Sequence, residues 1–408
     1  MCKEQRRGML VKKFSVVLIF AILFMLIMSG IAMADIVASG SCGADLTWTL
    51  DSEGLLAITG TGKMTDYHES DSVPWYSNRS NIKSLVIGHN VTTIGNLAFD
   101  SCDNLTSVNI PSSISSIGDS AFSGSGLISV NIPDGVSSIG KEAFSCCHNL
   151  TSVTIPNSVT DLGSGAFSWC SSLTSVNIPN SITSINDAFY SSGLTSITIP
   201  DGVIDIGQGA FQDCNSLTCV IIPDSVTSIG DYAFNGCYSL TSVNIPDSVI
   251  SIGEHAFAWC TSLSSMTMGN SVTSIGIGAF LQCDNLTNVT IGKNVTSIGK
   301  AAFRNCSSLI NVYIPVSVIS IEQYAFQFCG PIDVYYGGTA EQWDRIDIAF
   351  PGYNSFETIH YNSIDPDSDL ISIPKEKYGI FVVDKDGKPL PGVTVTYNSL
   401  NEIGRAHV

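Results

Sequence analysis

Charge is the scarcest thing in this chain: Lys, Arg, Asp and Glu make up 13% of its 408 residues, against about a quarter in an ordinary soluble protein. Basic residues are the rarer sign, 18 against 36 acidic, for a formal net charge of −18. Five of them (Lys3, Arg6, Arg7, Lys12 and Lys13) share the first 13 positions with one acid, Glu4, so the rest of the chain carries 13 basic and 35 acidic residues. Neutralising phosphates needs clustered Lys and Arg, which argues against nucleic acid or an anionic bilayer surface as a partner. Histidine is equally thin, at 68, 89, 148, 255, 360 and 407. There is no Gly-x-Ser-x-Gly elbow, no His-Glu-x-x-His helix and no phosphate-cradling glycine loop, so no catalytic centre, cofactor or metal site is expected. Cys-x-x-Cys is missing too, which disfavours zinc. Low charge does not mean disorder here, because 44% of the residues are hydrophobic and neutral Ser, Thr and Asn stand where charge would.

One long apolar run, residues 14–28, follows the basic segment, and Ala32-Met33-Ala34 precedes Asp35. This is the layout of an export signal with a small-residue cleavage site, assigned to residues 1–34. The alternative is an uncleaved anchor, since the run approaches the ~20 residues that span a bilayer. Met9 is a second possible start, because Met9-Leu10-Val11-Lys12-Lys13 already supplies a basic flank.

The rest is dominated by repetition. Ala-Phe dipeptides place Phe at 99, 122, 144, 167, 189, 211, 234, 257, 280, 303 and 326, always 22 or 23 residues apart. One unit reads Leu150-Thr-Ser-Val153-Thr-Ile155-Pro156-Asn-Ser158-Val159-Thr-Asp-Leu162-Gly163-Ser-Gly-Ala166-Phe167-Ser-Trp-Cys170. The alternation at Val153 and Ile155 predicts a short strand, Pro a turn, the next apolar pair a second strand, and Ala-Phe a bend. A unit of this size cannot enclose its own apolar side chains, but stacking units ~4.8 Å apart joins them into one core. The expected fold is therefore a β-rich solenoid with little helix, an arc of about eleven units roughly 50 Å long. Where the period shortens to 22, the units beginning at Phe122 and Phe189 lack the Cys slot and Ser184-Ile185-Asn186-Asp187-Ala188-Phe189 drops one loop residue, which reads as deletion in loops.

The pattern Leu-x-x-Val-x-Ile-Pro-x-Ser-Val-x-x-Ile-Gly-x-x-Ala-Phe-x-x-Cys resembles the BspA-like leucine-rich repeats of bacterial surface proteins, over residues 82–335. Residues 35–81, with Cys42-Gly43-Ala44-Asp45-Leu46-Thr47-Trp48 and Pro74-Trp75-Tyr76, look like the β-rich N-terminal cap of such arrays. Residues 336–362 look like the terminating unit. The resemblance implies a non-catalytic, exported protein that binds host matrix, host cells or other microbes through its repeats. A linker at 363–377 leads to residues 378–402, which resemble the opening of a carboxypeptidase-regulatory-like β-sandwich. Ile403-Gly404-Arg405-Ala406-His407-Val408 is what a sequencing-library adaptor would encode, so the natural chain is expected to continue. The alternative function follows from that expectation: a targeting module of a larger secreted hydrolase whose catalytic domain is missing here. A plain spacer is the third reading.

Nine cysteines stand three residues after a repeat Phe, among them Cys147, Cys170, Cys214, Cys237, Cys260, Cys283 and Cys306. Stacked repeats hold such Cβ vectors parallel, poor geometry for a disulfide. They are assigned, with Phe144, Phe167, Phe211, Phe234, Phe257, Phe280 and Phe303, to the core as buried free thiols. The Asp after Pro (Asp134, Asp201, Asp224, Asp247) suits either a turn or a calcium-bridging ladder, turn preference being the simpler account. Glu254-His255 reads as a solvated loop.

If Val-x-Ile turns its aliphatics inward, the residues between them face out as a neutral strip of hydroxyls and amides. Candidate ligand contacts on it are Asn177, Thr198, Cys219, Ile221, Asn244, Thr267, Thr290 and Tyr313, with Trp169 and Trp259 as alternatives on the loop side. The expected partner is an extracellular protein or glycan, the expected state a monomer. The core assignment makes a sharp prediction. Phe234→Ala should cost about 3–5 kcal/mol in denaturant unfolding and Asn244→Ala less than about 0.5 kcal/mol; equal losses would overturn the inward and outward assignment.

Overall fold

A computed structural model describes residues 34–363 and, beyond them, only the backbone of a small antiparallel pair, Lys375–Glu376 with Gly379–Ile380. The export segment, the rest of the linker and β-sandwich start, and the last six residues lie outside the described residues. The chain divides into two compact units, one ending at Val203 and the other starting at Ile204. Each is a parallel β-solenoid.

Within each unit a repeat makes three hydrogen-bonded sides. The first is the Val-x-Ile strand. Ser152–Thr154 pairs in parallel with Ser129–Asn131 and Ser175–Asn177, Val153 lying in register with Val130 and Val176. The second is a two-residue strand such as Ser138–Ile139, flanked by Ser116–Ile117 and Asp161–Leu162. Proline turns the chain between them, since its ring presets φ and it has no N–H to leave unpaired. The Val159 N–H closes that turn on the Pro156 carbonyl at 3.0 Å. Two residues after the Pro, the Ser158 hydroxyl donates to the Val136 carbonyl of the preceding repeat at 2.6 Å.

The third side was not anticipated: the Ala-Phe bend is itself a ladder. The N–H groups of Glu142, Phe144 and Cys146 donate to the carbonyls of Ser164, Ala166 and Ser168 in the next repeat at 3.0, 2.8 and 2.8 Å. Bringing alternate N–H groups to one side needs left-handed residues two before and two after the Phe, here Glu142 (φ 55°) and Cys146 (φ 57°). Such residues normally announce themselves as glycine. Here most are not, and only Gly165, Gly209 and Gly278 before the Phe and Gly124 and Gly236 after it carry the usual signature.

The core is the stacked interior of these turns. The repeat Phe rings lie parallel, Phe144 and Phe167 with centroids 5.3 Å apart and planes within 1°. Phe234, Phe257, Phe280 and Phe303 continue the same stacking in the second unit at 5.1–5.3 Å. The shortened repeats correct the expectation that they lack the Cys position. Ser125 and Ser192 occupy it, each 3% exposed, and the Ser125 hydroxyl lies 3.3 Å from the Cys147 sulfur. The missing residue comes out of the following loop in the Phe122 repeat. There Gly126 passes so close that an added Cβ would stand 2.1 Å from the Asp103 carbonyl oxygen.

Both ends of the array are closed by side chains. At the start, β1 (Ile36–Ser41), β2 (Leu46–Asp51) and β3 (Leu55–Gly60) form an antiparallel meander whose last strand pairs in parallel with Ser84–Ile87. Trp75 stacks on Phe99 at 5.5 Å, taking the place of a preceding Phe. Its indole N–H donates to the Ala98 carbonyl at 2.8 Å, a group that in later repeats accepts from a Phe N–H. Near the other end, Ile332–Tyr336 pairs with Phe356–His360, and Thr339 opens a one-turn helix, Ala340–Trp343, with a capping box. The N–H of the last repeat Phe, Phe326, donates to Asn354 Oδ1 at 3.0 Å. Trp75→Phe and Asn354→Ala each orphan one main-chain group while keeping most of the packing. Each should lower stability by about 1–3 kcal/mol in denaturant unfolding; no measurable loss would show the bend ladder ends to be satisfied by water.

Candidate functional site

The outward side of the Val-x-Ile strands is the extended surface that the repeat itself builds. In the first unit Ser152, Thr154, Ser175, Asn177, Ser196 and Thr198 are exposed, while Val153 and Ile197 between them are buried. In the second unit the same alternation exposes Cys219, Ile221, Asn244 and Thr267, and leaves Thr290 and Tyr313 half-buried. Within each sheet the main-chain donors and acceptors of these strands point along the sheet to parallel neighbours, so a ligand on the outward face is met by side chains. Those side chains already form ladders. Asn311 Nδ2 donates to Asn288 Oδ1 at 2.8 Å, and the Thr267 hydroxyl donates to Asn244 Oδ1.

Toward the end of the second unit the strip turns aromatic. Tyr313, Tyr335 and His360, in register on Asn311–Ile314, Ile332–Tyr336 and Phe356–His360, stack face to face with centroids 4.7 Å apart at each step. His360 Nε2 lies 3.8 Å from Asp333 Oδ1. The sequence marked Tyr313 alone. The signal for its partners was present, since Tyr335 and His360 flank aliphatics with the same period of two, but the terminating unit hid it. Trp169 and Trp259, offered as alternatives, lie instead at the left-handed position after the repeat Phe, on the bend side, and Trp169 packs edge-on against Tyr190. Ile221 is the most exposed apolar side chain of the strip at 56%.

The other candidates are structural in this arrangement. Asp247 Oδ1 accepts from the Asn270 N–H at 2.6 Å, so this post-proline Asp caps the next repeat's turn. Among the described residues no group of three His, Cys, Asp or Glu could hold a metal ion. His255 stacks on Tyr232 at 5.2 Å beside Glu254, 3.4 Å from Nδ1. Most ladder cysteines share a repeated partner. The sulfurs of Cys147, Cys170, Cys237, Cys260, Cys283 and Cys306 donate to the carbonyl of the preceding repeat's Phe at 3.1–3.3 Å. Cys214 is fully buried in the same position. Burial pushes the Cys147 thiol up to about 11 and the Cys260 thiol up to about 12, and raises Cys170, Cys237 and Cys306 in the same direction.

A parallel β-solenoid of 22–23-residue turns with Leu, Val, Ile and Phe inward defines a leucine-rich-repeat protein. The sequence matches the BspA type leucine rich repeat region (6 copies) over residues 74–188, 185–307 and 227–343, and the chain belongs to that family. Among solved structures, a leucine-rich repeat protein from Eubacterium ventriosum is similar at 24% identity and a TM-score of 0.53, covering 83% of this chain and 98% of that one. A leucine rich cell surface protein from Faecalibacterium prausnitzii is similar at 29% identity and a TM-score of 0.45, covering 77% and 98%. No curated protein matches.

The thiol ladder yields a measurable consequence. A thiol whose native pKa is raised stays protonated in the fold after its unfolded counterpart has ionised. Its contribution is therefore intact below about pH 9 and is lost as pH rises toward 12. Native protein should react with a thiol reagent at exposed Cys219 before any ladder cysteine, and urea stability should hold to pH 9 and then fall. Rapid modification of the ladder in native protein would contradict the burial described.

Proposed function

We propose that the chain is an exported, non-catalytic binding scaffold of the cell surface, an adhesin that takes protein or glycan ligands on the outward strip of its strands. The carrying observation is the strip itself: exposed, neutral, in register from repeat to repeat, and built of hydroxyl, amide and aromatic side chains. Such a surface offers many weak hydrogen bonds and a few aromatic contacts, the mixture on which extended ligands are held. The family assignment and the basic-then-apolar N-terminal segment support export. The scarcity of Lys and Arg turns the scaffold away from polyanions.

The test is solid-phase binding of the full chain to immobilised matrix proteins, mucin and whole bacterial cells. Saturable binding to at least one surface is expected. The double substitution Thr290→Ala with Tyr313→Ala should weaken it about tenfold, as loss of an aromatic contact typically does, while the thermal midpoint barely moves. Absence of saturable binding to every surface would overturn the adhesin reading.

A further inference from the structure

The few basic residues of the chain are not evenly spread. Between Asp284 and Glu322 it carries Lys293, Lys300 and Arg304 and no acid, a reversal of sign in a sequence where acids outnumber bases two to one. Lys300 and Arg304 lie on the bend side of the second unit, where their carbonyls accept from the N–H groups of Gly278 and Gln282, each at 2.8 Å. Glu322, the first acid to follow, already accepts from the Lys300 main-chain N–H at 3.0 Å.

Arg304 is held by rings. The next repeat places aromatics at both of its left-handed positions, Tyr324 (φ 64°) and Phe328 (φ 59°). The Arg304 guanidinium lies over the two, 5.8 and 5.4 Å from their centroids, inside the ~6 Å reach of a cation–π contact. Phe350 and Tyr353 pack against Tyr324 at 6.3 and 5.5 Å. Phe328, Phe350 and Tyr353 are 62%, 55% and 53% exposed. Large apolar side chains scattered singly over a surface are ordinary, but three gathered around one cation mark a place where something docks.

The guanidinium itself is unspent. Among the described residues it forms no ion pair. Its Nε is buried without a hydrogen-bond partner, while its two terminal nitrogens donate to nothing among the described residues and reach solvent. What remains accessible is the end of the fork, two parallel N–H donors at the spacing of a carboxylate's oxygens. One fork takes one carboxylate. The acidic surplus of the whole chain opposes a polyanion, and the rings beside the fork suit aliphatic or aromatic side chains. We propose that the Arg304 patch is a docking site for an extended protein segment that carries a single Asp or Glu flanked by large apolar side chains. The patch lies on the bend side, apart from the strand strip, and is a second interaction surface of the same unit.

The test is fluorescence anisotropy of the full chain with labelled heptapeptides whose central Glu is flanked by Leu, Ile, Phe or Tyr on each side, beside their Gln counterparts, with hexaglutamate and glucuronic acid as competitors. At least one Glu peptide should bind, and its Gln counterpart should bind about tenfold more weakly, the difference between a charge-assisted and a neutral pair. Arg304→Gln should produce the same loss, and Arg304→Lys should not restore binding, because an ammonium lacks the fork. Phe328→Ala should weaken binding about tenfold. Its ring is exposed, so the melting curve should stay in place, and this variant decides the matter if those at Arg304 fold poorly. Four results would overturn the site: no Glu peptide bound, equal binding of the Gln counterparts, stronger competition by hexaglutamate or glucuronic acid than by unlabelled peptide, or loss of binding in Tyr313→Ala with none in Arg304→Gln. The last would leave the scaffold reading standing, with the peptide on the strand strip.

Discussion

Everything in this molecule depends on the fact that one turn of the chain cannot bury its own side chains. A 23-residue coil encloses a narrow space, and its Phe, Leu, Val and Ile leave water only when an identical set lies about 5 Å above or below. The parallel Phe stack is the clearest expression of that dependence. Identity between repeats is therefore a packing requirement: a ring in one repeat needs a ring of the same shape at the same height in the next. The cysteine obeys the same rule. A small, weakly polar side chain fits the space beside the Phe, and its S–H finds the carbonyl that the stacking brings within reach.

The main chain reinforces this with three ladders in place of the two strands that alternation suggests. The bend ladder is the most directional, because the three N–H groups of repeats such as that of Phe144 point the same way. A one-way ladder leaves different groups open at its two ends, a carbonyl at the start and an N–H at the finish. The closing residues reflect the difference: Trp75 supplies a donor and Asn354 an acceptor. Neither belongs to the repeat, and each is specific to its end.

Most of the architecture was legible because it is periodic. The Ala-Phe bend recurs eleven times, and the alternating strand and the turn after it recur with it in most repeats, so inward and outward positions could be read from any single repeat and checked against the others. What was not legible depends on conformation that carries no consistent residue signature. Glu142 and Cys146 adopt the left-handed conformation that a reader assigns to glycine, so the third ladder stayed hidden. Ser125 and Ser192 kept a core position under a different name. The aromatic stack was half visible, Tyr313 standing out against Thr and Asn while Tyr335 and His360 blended into a terminating segment.

The end-specific closures carry a consequence for heredity. Because Trp75 and Asn354 lie outside the repeating segment, an interior repeat can be duplicated or lost through unequal exchange between near-identical stretches of the gene without disturbing either closure. Each such event inserts or removes one whole layer of inward and outward positions together. Descendants of one gene can thus differ in reach while keeping the same ends, and a single diverged repeat, such as the one built on Met266 and Met268, can be copied or erased as a discrete inheritance.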